Sequence, residues 1–428
     1  MPSCRPVAPH RTVIGPVLSA VLLLSISGCP GRSGPGMGDS GGIRPVVEVR
    51  DIRVLIASGR EPLRFNVSGG YLLQAGGRTL DPPRPPARWV EVLGRESGLA
   101  LAGRSYRGLR RVEVRPQPGA TFELSRRSPD GGWSPATRYT GHLVLLVRPD
   151  GTLLAINHLD VDTYVAGVLT RELYADFHPE AFRAQAVAAR TYALYQMSRR
   201  AGRDYDVTAT ESSQVYGGLP QGRGAHRALE AVHYTRGIVA TWPSPRGERI
   251  FCTYYSSACG GMTQSVTACK PGEPAIPPLS GGVKCDYCRI ARGEAYRWQP
   301  VRIAKSDLTA RLAARYPAVA GLGGIRGVAA AVHPRTGRLC RVRLTGRSGQ
   351  THELLAEDFR LAIGSRVMRS TNCRLTDEGE AIVLSDGRGF GHGMGLCQWG
   401  MQGQALQGRL AGQILKYYYP GMHLTRAY

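Results

Sequence analysis

The chain has 428 residues and a formal net charge of +23 at pH 7, carried largely by arginines spread along its length. A surface of this charge favours polyanions. The sequence has no basic patch with interleaved aromatic residues of the kind that stacks on bases, which argues against nucleic acid. Acidic polymers and anionic lipids remain as partners, beside the alternative of a solvated, arginine-rich surface without a charged partner.

The first residues predict export. Arg5 and Arg11 precede an apolar run at 13–24, and a small residue stands before Cys29. The run is too short to cross a hydrocarbon layer of ~30 Å. This pattern is typical of a lipoprotein signal peptide, residues 1–28, with a lipid on Cys29. We expect an exported protein anchored through that lipid to a membrane face. Ordinary secretion, with Cys29 as a free or paired thiol, is the alternative.

Two regions follow the signal peptide. Residues 29–45 carry little apolar content and predict a flexible linker. Residues 46–142 alternate or cluster apolar residues between Gly and Pro, which predicts a small β-rich N-terminal domain. The proline-rich segment 82–88 is expected to be a loop, because proline cannot serve a central strand. No function is assigned to this domain.

Helical periodicity begins after residue 159. Apolar residues at spacings near 3.6 predict a helix that ends at Glu172: Tyr164, Val165, Val168, Leu169 and Leu173. A second helix is predicted from Pro179, a residue type suited to the first helical turn. One row of this helix is polar and aromatic, which predicts a cleft wall rather than core: Gln185, Ala189, Tyr192 and Gln196.

Mixed elements without a regular βαβ alternation predict an α+β fold for residues 143–428. The helices around Glu172 are expected to lie over a mixed sheet and to line a long groove. Eight of the ten cysteines fall in this part of the chain. Several of them make a cysteine-rich insert at 252–288.

A series of separated blocks then occurs in a fixed order. They are YVAGVLTRE at 164–172, FHPEA at 177–181, AQAVAARTYA at 184–193, SQVYGG at 213–218, YYSSACGGMT at 254–263, GFGHGMGLCQWG at 389–400 and LKYYYPG at 415–421. These blocks resemble the stage II sporulation protein D (SpoIID) family, which includes the amidase enhancer LytB. The resemblance covers 143–421. It departs from the family at Cys397, where serine is expected, and at Trp399, where tyrosine is usual.

The resemblance implies a lytic transglycosylase that cuts the bond between N-acetylmuramic acid and N-acetylglucosamine in peptidoglycan strands stripped of stem peptides. Glu172 aligns with the family's catalytic glutamate. Ordinary glycosidases need two carboxylates, whereas here one acid can protonate the leaving oxygen and then accept the proton of the C6 hydroxyl. Its pKa should be raised by burial. The alternative for Glu172 is a surface salt bridge with Arg171 or Arg183.

Other residues of the matching blocks are candidates for binding the glycan: Gln185, Arg190, Tyr192, Tyr216, Ser257, His392 and Gln398. Gln185 and Arg190 could hold sugar substituents, and Tyr216 could stack on a pyranose. Ser257 and His392 could donate hydrogen bonds near the scissile oxygen. Structural alternatives stay open: Arg190 could pair with an acid, Tyr216 could be core, and the glycines around His392 could form a tight turn.

The cysteines carry a second chemical signal. The pair Cys285 and Cys288, with Cys259 and Cys269 upstream, predicts a structural zinc site of four thiolates. Disulfides are the alternative in an oxidising compartment, and a bridge between Cys340 and Cys373 is one such pairing. Zinc occurs in some relatives of the family.

Two other functions remain open at this stage. The chain could be a wall-binding activator of a cell-wall amidase without activity of its own, because a fold can outlive its activity. It could also be a structural lipoprotein braced by zinc or disulfides. Nothing in the sequence points to spore formation.

Overall fold

A computed structural model of the protein describes residues 51–81 and 89–428. The predicted signal peptide 1–28, the lipidation site Cys29, the linker 29–45 and the proline-rich loop 82–88 lie outside these residues. Across the described part of the chain, no helix combines the length and the apolar character needed to cross a membrane.

The first hundred described residues form strands. These are β1 (Ile52–Gly59), β2 (Leu63–Val67), β3 (Tyr71–Ala75), β4 (Arg78–Leu80), β5 (Val90–Arg95), β6 (Gly98–Leu101), β7 (Arg104–Arg107), β8 (Arg111–Pro116), β9 (Phe122–Arg126), β10 (Thr137–Tyr139), β11 (His142–Val147) and β12 (Leu153–Leu159).

Helices and short strands follow. They are α1 (Val161–Glu172), α2 (Pro179–Arg199), β13 (Val207–Thr208), α3 (Ala225–Tyr234), β14 (Ile238–Ser244), β15 (Gly247–Ile250), β16 (Tyr255–Ser256) and α4 (Val266–Cys269), with single 3-10 turns at Pro277–Leu279, Asp286–Ile290 and Gly293–Ala295.

A segment with its own apolar core comes next, and we call residues 298–385 the insert module. Its elements are β17 (Val301–Ala304), α5 (Lys305–Ala313), α6 (Pro317–Ala320), β18 (Ile325–Val332), β19 (Leu339–Gly346), β20 (Thr351–Leu355), α7 (Ala356–Ile363), β21 (Arg374–Glu378) and β22 (Ala381–Ser385). The chain then adds β23 (Leu396–Cys397), α8 (Gln398–Leu406), α9 (Ala411–Tyr418) and β24 (His423–Arg426).

Two sheets contain most of the N-terminal strands. One has the order β13-β1-β12-β11-β8-β3-β4, and the other has the order β10-β9-β2-β5-β6-β7. In the first sheet β1 pairs antiparallel with β12 and parallel with β13, so this sheet is mixed. Together with the helices that follow, the sheets make an α+β fold.

The boundary predicted at residues 142 and 143 falls inside this first sheet, at the start of β11. The main apolar core also joins both sides of that boundary, since it includes Ile52, Phe65 and Val112 as well as Val168 and Phe182. The N-terminal strands therefore share a sheet and a core with the helices that carry the candidate site.

The sequence accounts for the start and end of both site helices. The Asp160 carboxylate caps α1 by accepting from the Thr163 amide at 2.9 Å. Pro179 opens α2, as predicted, and the His178 Nδ1 atom accepts from the Glu180 amide at 3.2 Å. Buried alanines along α2 let α1, α3, α8 and α9 pack closely around it. α2 is consequently the central, buried helix of this half of the molecule.

Candidate active site

Glu172 is the last residue of α1, and its side chain lines a cleft of about 540 Å³. The chain turns extended at Leu173, which leaves the partly buried Glu172 side chain at the end of the helix that borders the cleft. The remaining walls come from the segments around residues 211–215, 254–257 and 390–398, and from the insert module. Parts of the chain far apart in sequence therefore meet at one carboxyl group.

Uncharged donors surround the Glu172 carboxylate. The Val215 backbone N–H donates to Oε1 at 2.9 Å, and the Gln398 side-chain amide donates to Oε2 at 3.3 Å. The Tyr255 hydroxyl hydrogen-bonds to the same carboxylate. The salt bridges considered from the sequence do not form: Arg183 pairs with Glu180, and the Arg171 side chain lies against Gly217.

This setting changes the acidity of Glu172. Burial raises its pKa above the ordinary range, and the negative charge of Glu211 adds to that rise. Hydrogen bonds from Val215, Gln398 and Tyr255 favour the charged form and partly oppose it. The net direction is upward, so this carboxyl group holds its proton to higher pH than an exposed glutamate.

A buried chain of hydrogen bonds orients the Tyr255 hydroxyl. The Tyr164 hydroxyl donates to Gln214 Oε1 at 3.1 Å, and the Gln214 amide donates to the Tyr255 oxygen at 3.0 Å. The Tyr255 oxygen accepts from Gln214, so its hydroxyl proton remains available to the Glu172 carboxylate. Sequence analysis did not select Gln214, Val215 or Tyr255, although all three lie within the matching blocks.

Four of the predicted glycan-binding residues line the cleft: Tyr192, Ser257, His392 and Gln398. Burial lowers the pKa of His392 to about 4, so this imidazole is neutral at neutral pH. Its Nδ1 atom accepts from the Met394 amide at 2.9 Å. The proton therefore lies on Nε2, where it can be donated.

The other three predicted glycan-binding residues lie in the core rather than the cleft. Arg190 is fully buried and pairs with Asp162 at 2.6 Å. Tyr216 is 5% exposed and donates to the Asn157 side chain at 3.1 Å. Gln185 is fully buried, and neither atom of its amide has a hydrogen-bond partner. The structure places all three away from the cleft, because the face of α2 that carries Gln185 and Arg190 packs inward and Tyr216 packs against Tyr139 and Tyr164.

The cleft also contains residues that sequence analysis missed. Glu211 is an exposed second carboxylate on the cleft wall. The insert module contributes Arg360, which pairs with Glu357 at 2.7 Å, and Ser365. No motif marked these three residues, because they lie outside the matching blocks and enter the cleft only through tertiary packing.

Near the cleft, four buried cysteines have sulfur atoms within 4.8 Å of one another: Cys259, Cys285, Cys288 and Cys397. The predicted ligand Cys269 is not among them and lies at the end of α4. Cys397 takes its place because β16 pairs parallel with β23, which sets Ser256 opposite Cys397. Cys340 and Cys373, predicted as a possible disulfide, are both unpaired thiols.

The geometry of this cluster fits a tetrathiolate metal site better than disulfides. Tetrahedral zinc at about 2.3 Å from each sulfur places neighbouring sulfurs about 3.8 Å apart, and Cys259 and Cys288 are 3.8 Å apart. A disulfide would need about 2.05 Å. Backbone amides of Cys259 and Gly400 donate to the Cys397 sulfur at 3.2 and 3.3 Å. A Cβ at Gly400 would stand 2.5 Å from the Cys285 sulfur, so glycine leaves room for the cluster.

Comparison with known proteins agrees with the motifs. A family model described as SpoIID, stage II sporulation protein, matches residues 149–242. A protein of Brachyspira hyodysenteriae described only as uncharacterized is 29% identical over 375 residues, which is 87% of this chain and 92% of that protein. The stage II sporulation protein D of Bacillus subtilis is 26% identical over 64% of this chain and 76% of its own length.

The amidase enhancer of Bacillus subtilis is 26% identical over 60% of this chain, a stretch that covers 40% of that longer protein. The family model lies on the segment that contains α1 and α2 and therefore Glu172. These matches and the order of the motifs agree with a resemblance to the SpoIID family.

Proposed function

We propose that this protein is a lytic transglycosylase that cleaves the bond between N-acetylmuramic acid and N-acetylglucosamine, preferably in peptide-stripped glycan strands, with Glu172 as its acid and base. The observation that carries the proposal is the setting of Glu172: a carboxyl group of raised pKa, held by neutral donors, at the wall of an open cleft. A carboxyl group with a raised pKa is suited to give up a proton as a general acid and then to take one back as the carboxylate.

The reaction balances with this one group. Protonated Glu172 gives its proton to the leaving O4 oxygen as the bond from C1 of the muramic acid breaks. The C6 hydroxyl oxygen of the same sugar attacks C1, and its proton passes to the Glu172 carboxylate. A 1,6-anhydro ring results, no water is consumed, and Glu172 recovers its acid form. Between the two proton transfers, the donors Val215, Tyr255 and Gln398 stabilise the carboxylate.

The other cleft residues have roles in holding the strand. Tyr192 and Tyr254 line the cleft and offer aromatic surface, and His392 can donate from Nε2 to a sugar oxygen. Ser257 adds a hydroxyl group. A cleft of about 540 Å³ has the size of ordinary ligand sites, and its open shape suits a polymer that continues beyond it.

We also propose that the four-cysteine cluster binds a structural Zn²⁺ ion. Cys259, Cys285, Cys288 and Cys397 would supply four thiolates, a ligand set typical of closed structural sites. The ion would tie the 3-10 turn at Asp286–Ile290 to the start of α8, whose first residue Gln398 contacts Glu172. The centre would thereby support the catalytic wall without taking part in the reaction.

For the cellular setting, we propose an exported lipoprotein that is anchored through Cys29 and acts on peptidoglycan from the membrane face. The alternative function is that of a non-catalytic activator of a cell-wall amidase. The similarity to an amidase enhancer favours that alternative, whereas the acidity and accessibility of Glu172 favour an enzyme.

The test is to incubate the purified protein with peptide-stripped glycan strands and to analyse the products by mass spectrometry, with Glu172→Gln as the matched control. The proposal predicts anhydro-muramyl ends from the wild type and none from the variant. No cleavage by the wild type, together with retained binding of the strands, would instead support the amidase activator.

A further inference from the structure

We propose that Arg338 is the counter-ion of the four-cysteine metal centre and fastens the insert module to it. The proposal rests on the metal centre proposed above and is independent of whether the protein cleaves glycan. Arg338 does not line the cleft, and the inference about it comes from its burial, its partners and its place in the fold.

Arg338 is a charge without an obvious partner. Its side chain is fully buried, and its Nε atom has no hydrogen-bond partner. Its other donors meet neutral acceptors: Nη1 donates to the Thr371 hydroxyl at 3.3 Å, and Nη2 donates to the carbonyl oxygen of Cys259. A buried guanidinium is costly unless a negative charge lies close to it.

The anionic groups around Arg338 are accounted for in other ways. Glu357 is engaged by Arg360 through two hydrogen bonds, at 2.7 and 2.9 Å. The buried thiols Cys269 and Cys373 also lie in the field of Arg338, but burial raises the pKa of each to about 12, so both are neutral. These groups leave the guanidinium charge uncompensated.

A loaded four-cysteine centre supplies the missing charge. Four thiolates around one Zn²⁺ ion carry a net charge of about −2. Arg338 contacts this centre directly through the carbonyl group of its ligand Cys259. A Cβ at Gly393 would stand 2.5 Å from Arg338 Nη2, so the glycine leaves the space through which the guanidinium reaches the centre.

The same loop holds the insert module in place. Arg338 stands just before β19, and the preceding Thr336 hydroxyl donates to the Gln264 side chain at 2.9 Å. Arg335 donates to the Gly281 carbonyl at 3.0 Å. Because the module contributes Arg360 and Ser365 to the cleft, its attachment to the metal centre fixes one wall of the active site.

The test compares Arg338→Met and Arg338→Lys with the control Arg343→Met, an exposed arginine of the adjoining strand β19. The metal itself is the probe. Zinc affinity is measured by competition with a chromophoric chelator, and Co²⁺ is used to report thiolate ligation by its absorption spectrum. We expect Arg338→Met to bind metal about 10- to 100-fold more weakly, Arg338→Lys to lose less, and the control to match the wild type.

Thermal unfolding, with and without chelator, separates a counter-ion from a residue that merely fills space. With metal bound, Arg338→Met should unfold at a lower temperature than the wild type. After metal removal the wild type keeps an unpaired buried charge, so the variant should be equally stable or more stable. Equal metal affinity in the wild type and Arg338→Met would overturn the proposal, as would a chain that binds neither Zn²⁺ nor Co²⁺.

Discussion

Glu172 and Arg190 lie on consecutive helices, and their charges are met in opposite ways. Arg190 is fully buried in α2 and has a full ion pair with Asp162 as well as a hydrogen bond to the Ile238 carbonyl at 3.2 Å. Glu172, at the end of α1, has only neutral donors and opens into the cleft. The Arg190 charge is met by an opposite charge, whereas the Glu172 carboxyl group has neutral partners and can change its protonation state.

This difference distinguishes a structural charge from a reactive one. The buried ion pair of Arg190 with Asp162 joins α2 to α1 and has a structural role. A carboxyl group with neutral partners and a raised pKa can lose and regain a proton during a reaction. The following experiments test the contrast, from the largest expected effect to the smallest.

Replacing Glu172 with Gln should abolish cleavage while the fold is kept. The expected loss in rate is about 10²- to 10⁴-fold, the usual contribution of a general acid and base. A carboxyl group whose pKa is raised on folding lowers stability as the pH rises above its unfolded pKa. The variant should therefore unfold at a temperature about 1 to 3 °C higher than the wild type at neutral pH. Cleavage assays measure the rate, and calorimetry measures the unfolding temperature. A variant that is unstable as well as inactive would show that Glu172, like Arg190, has a structural role.

Replacing Arg190 with Met should have the converse effect. Loss of Arg190 leaves Asp162 with the longer contact to the exposed Arg236 at 3.8 Å, and we expect a destabilisation of about 3 kcal/mol, the lower end for a broken buried pair. Denaturant unfolding measures this change. Activity per folded molecule, assayed well below the unfolding temperature, should stay near that of the wild type. A stable Arg190→Met protein that binds glycan strands more weakly would show that Arg190 takes part in substrate binding.

The pH dependence of cleavage should report Glu172 and not His392. Because the reaction begins with protonated Glu172, kcat/KM should fall about tenfold per pH unit above the raised pKa of this residue. The pKa of His392 is about 4, so the imidazole does not titrate near neutrality. The descending limb should therefore stay at the same pH in His392→Gln. A limb that disappears in that variant would contradict the assignment.

Replacing Tyr255 with Phe tests whether the Tyr255 hydroxyl group stabilises the Glu172 carboxylate. The hydrogen bond from Tyr255 favours the charged form of Glu172. Removing this bond should therefore raise the pKa of Glu172 and move the descending limb of the kcat/KM profile to higher pH. The rate of cleavage should fall about 3- to 10-fold, as for one hydrogen bond. The measurement is the pH profile of the variant beside that of Tyr254→Phe, a neighbour that bonds to Glu273 instead. An unchanged limb in Tyr255→Phe would argue against this donor.

The smallest effect is expected at Glu211. Its charge raises the pKa of Glu172, so Glu211→Gln should move the descending limb slightly to lower pH and change the maximal rate less than about threefold. A loss as large as that of Glu172→Gln would show that two carboxylates are required. The reaction would then be an ordinary hydrolysis.

The sequence predicts the local part of this site well. The apolar row of α1 and the position of Pro179 at the start of α2 follow from nearby residues, whereas Glu172 was selected through the resemblance of the separated blocks. The predicted polar row of α2 faces the cleft only in part, since Tyr192 lines the cleft whereas Gln185 is fully buried, and polarity alone does not tell whether a side chain meets solvent or a buried partner. Gln185 and Arg190 are polar yet fully buried, and Arg190 finds Asp162 across a helix contact.

The other errors concern residues that meet only in the folded chain. The proposed metal ligand Cys397 lies far from Cys259 in sequence and is brought beside it by the parallel pairing of β16 with β23. Gln398 likewise reaches Glu172 only because α8 packs against α2. Sequence spacing favoured Cys269, which is nearer to Cys259 along the chain. Contacts between residues as far apart in sequence as Cys259 and Cys397 depend on strand pairing that no local pattern encodes.

The most direct test of the central claim is to cleave peptide-stripped strands in water labelled with ¹⁸O and to weigh the new ends by mass spectrometry. If Glu172 acts alone through the C6 hydroxyl group, every new muramyl end should be a 1,6-anhydro sugar without ¹⁸O. New reducing ends that carry ¹⁸O at C1 would contradict the account, since water would then have been the nucleophile.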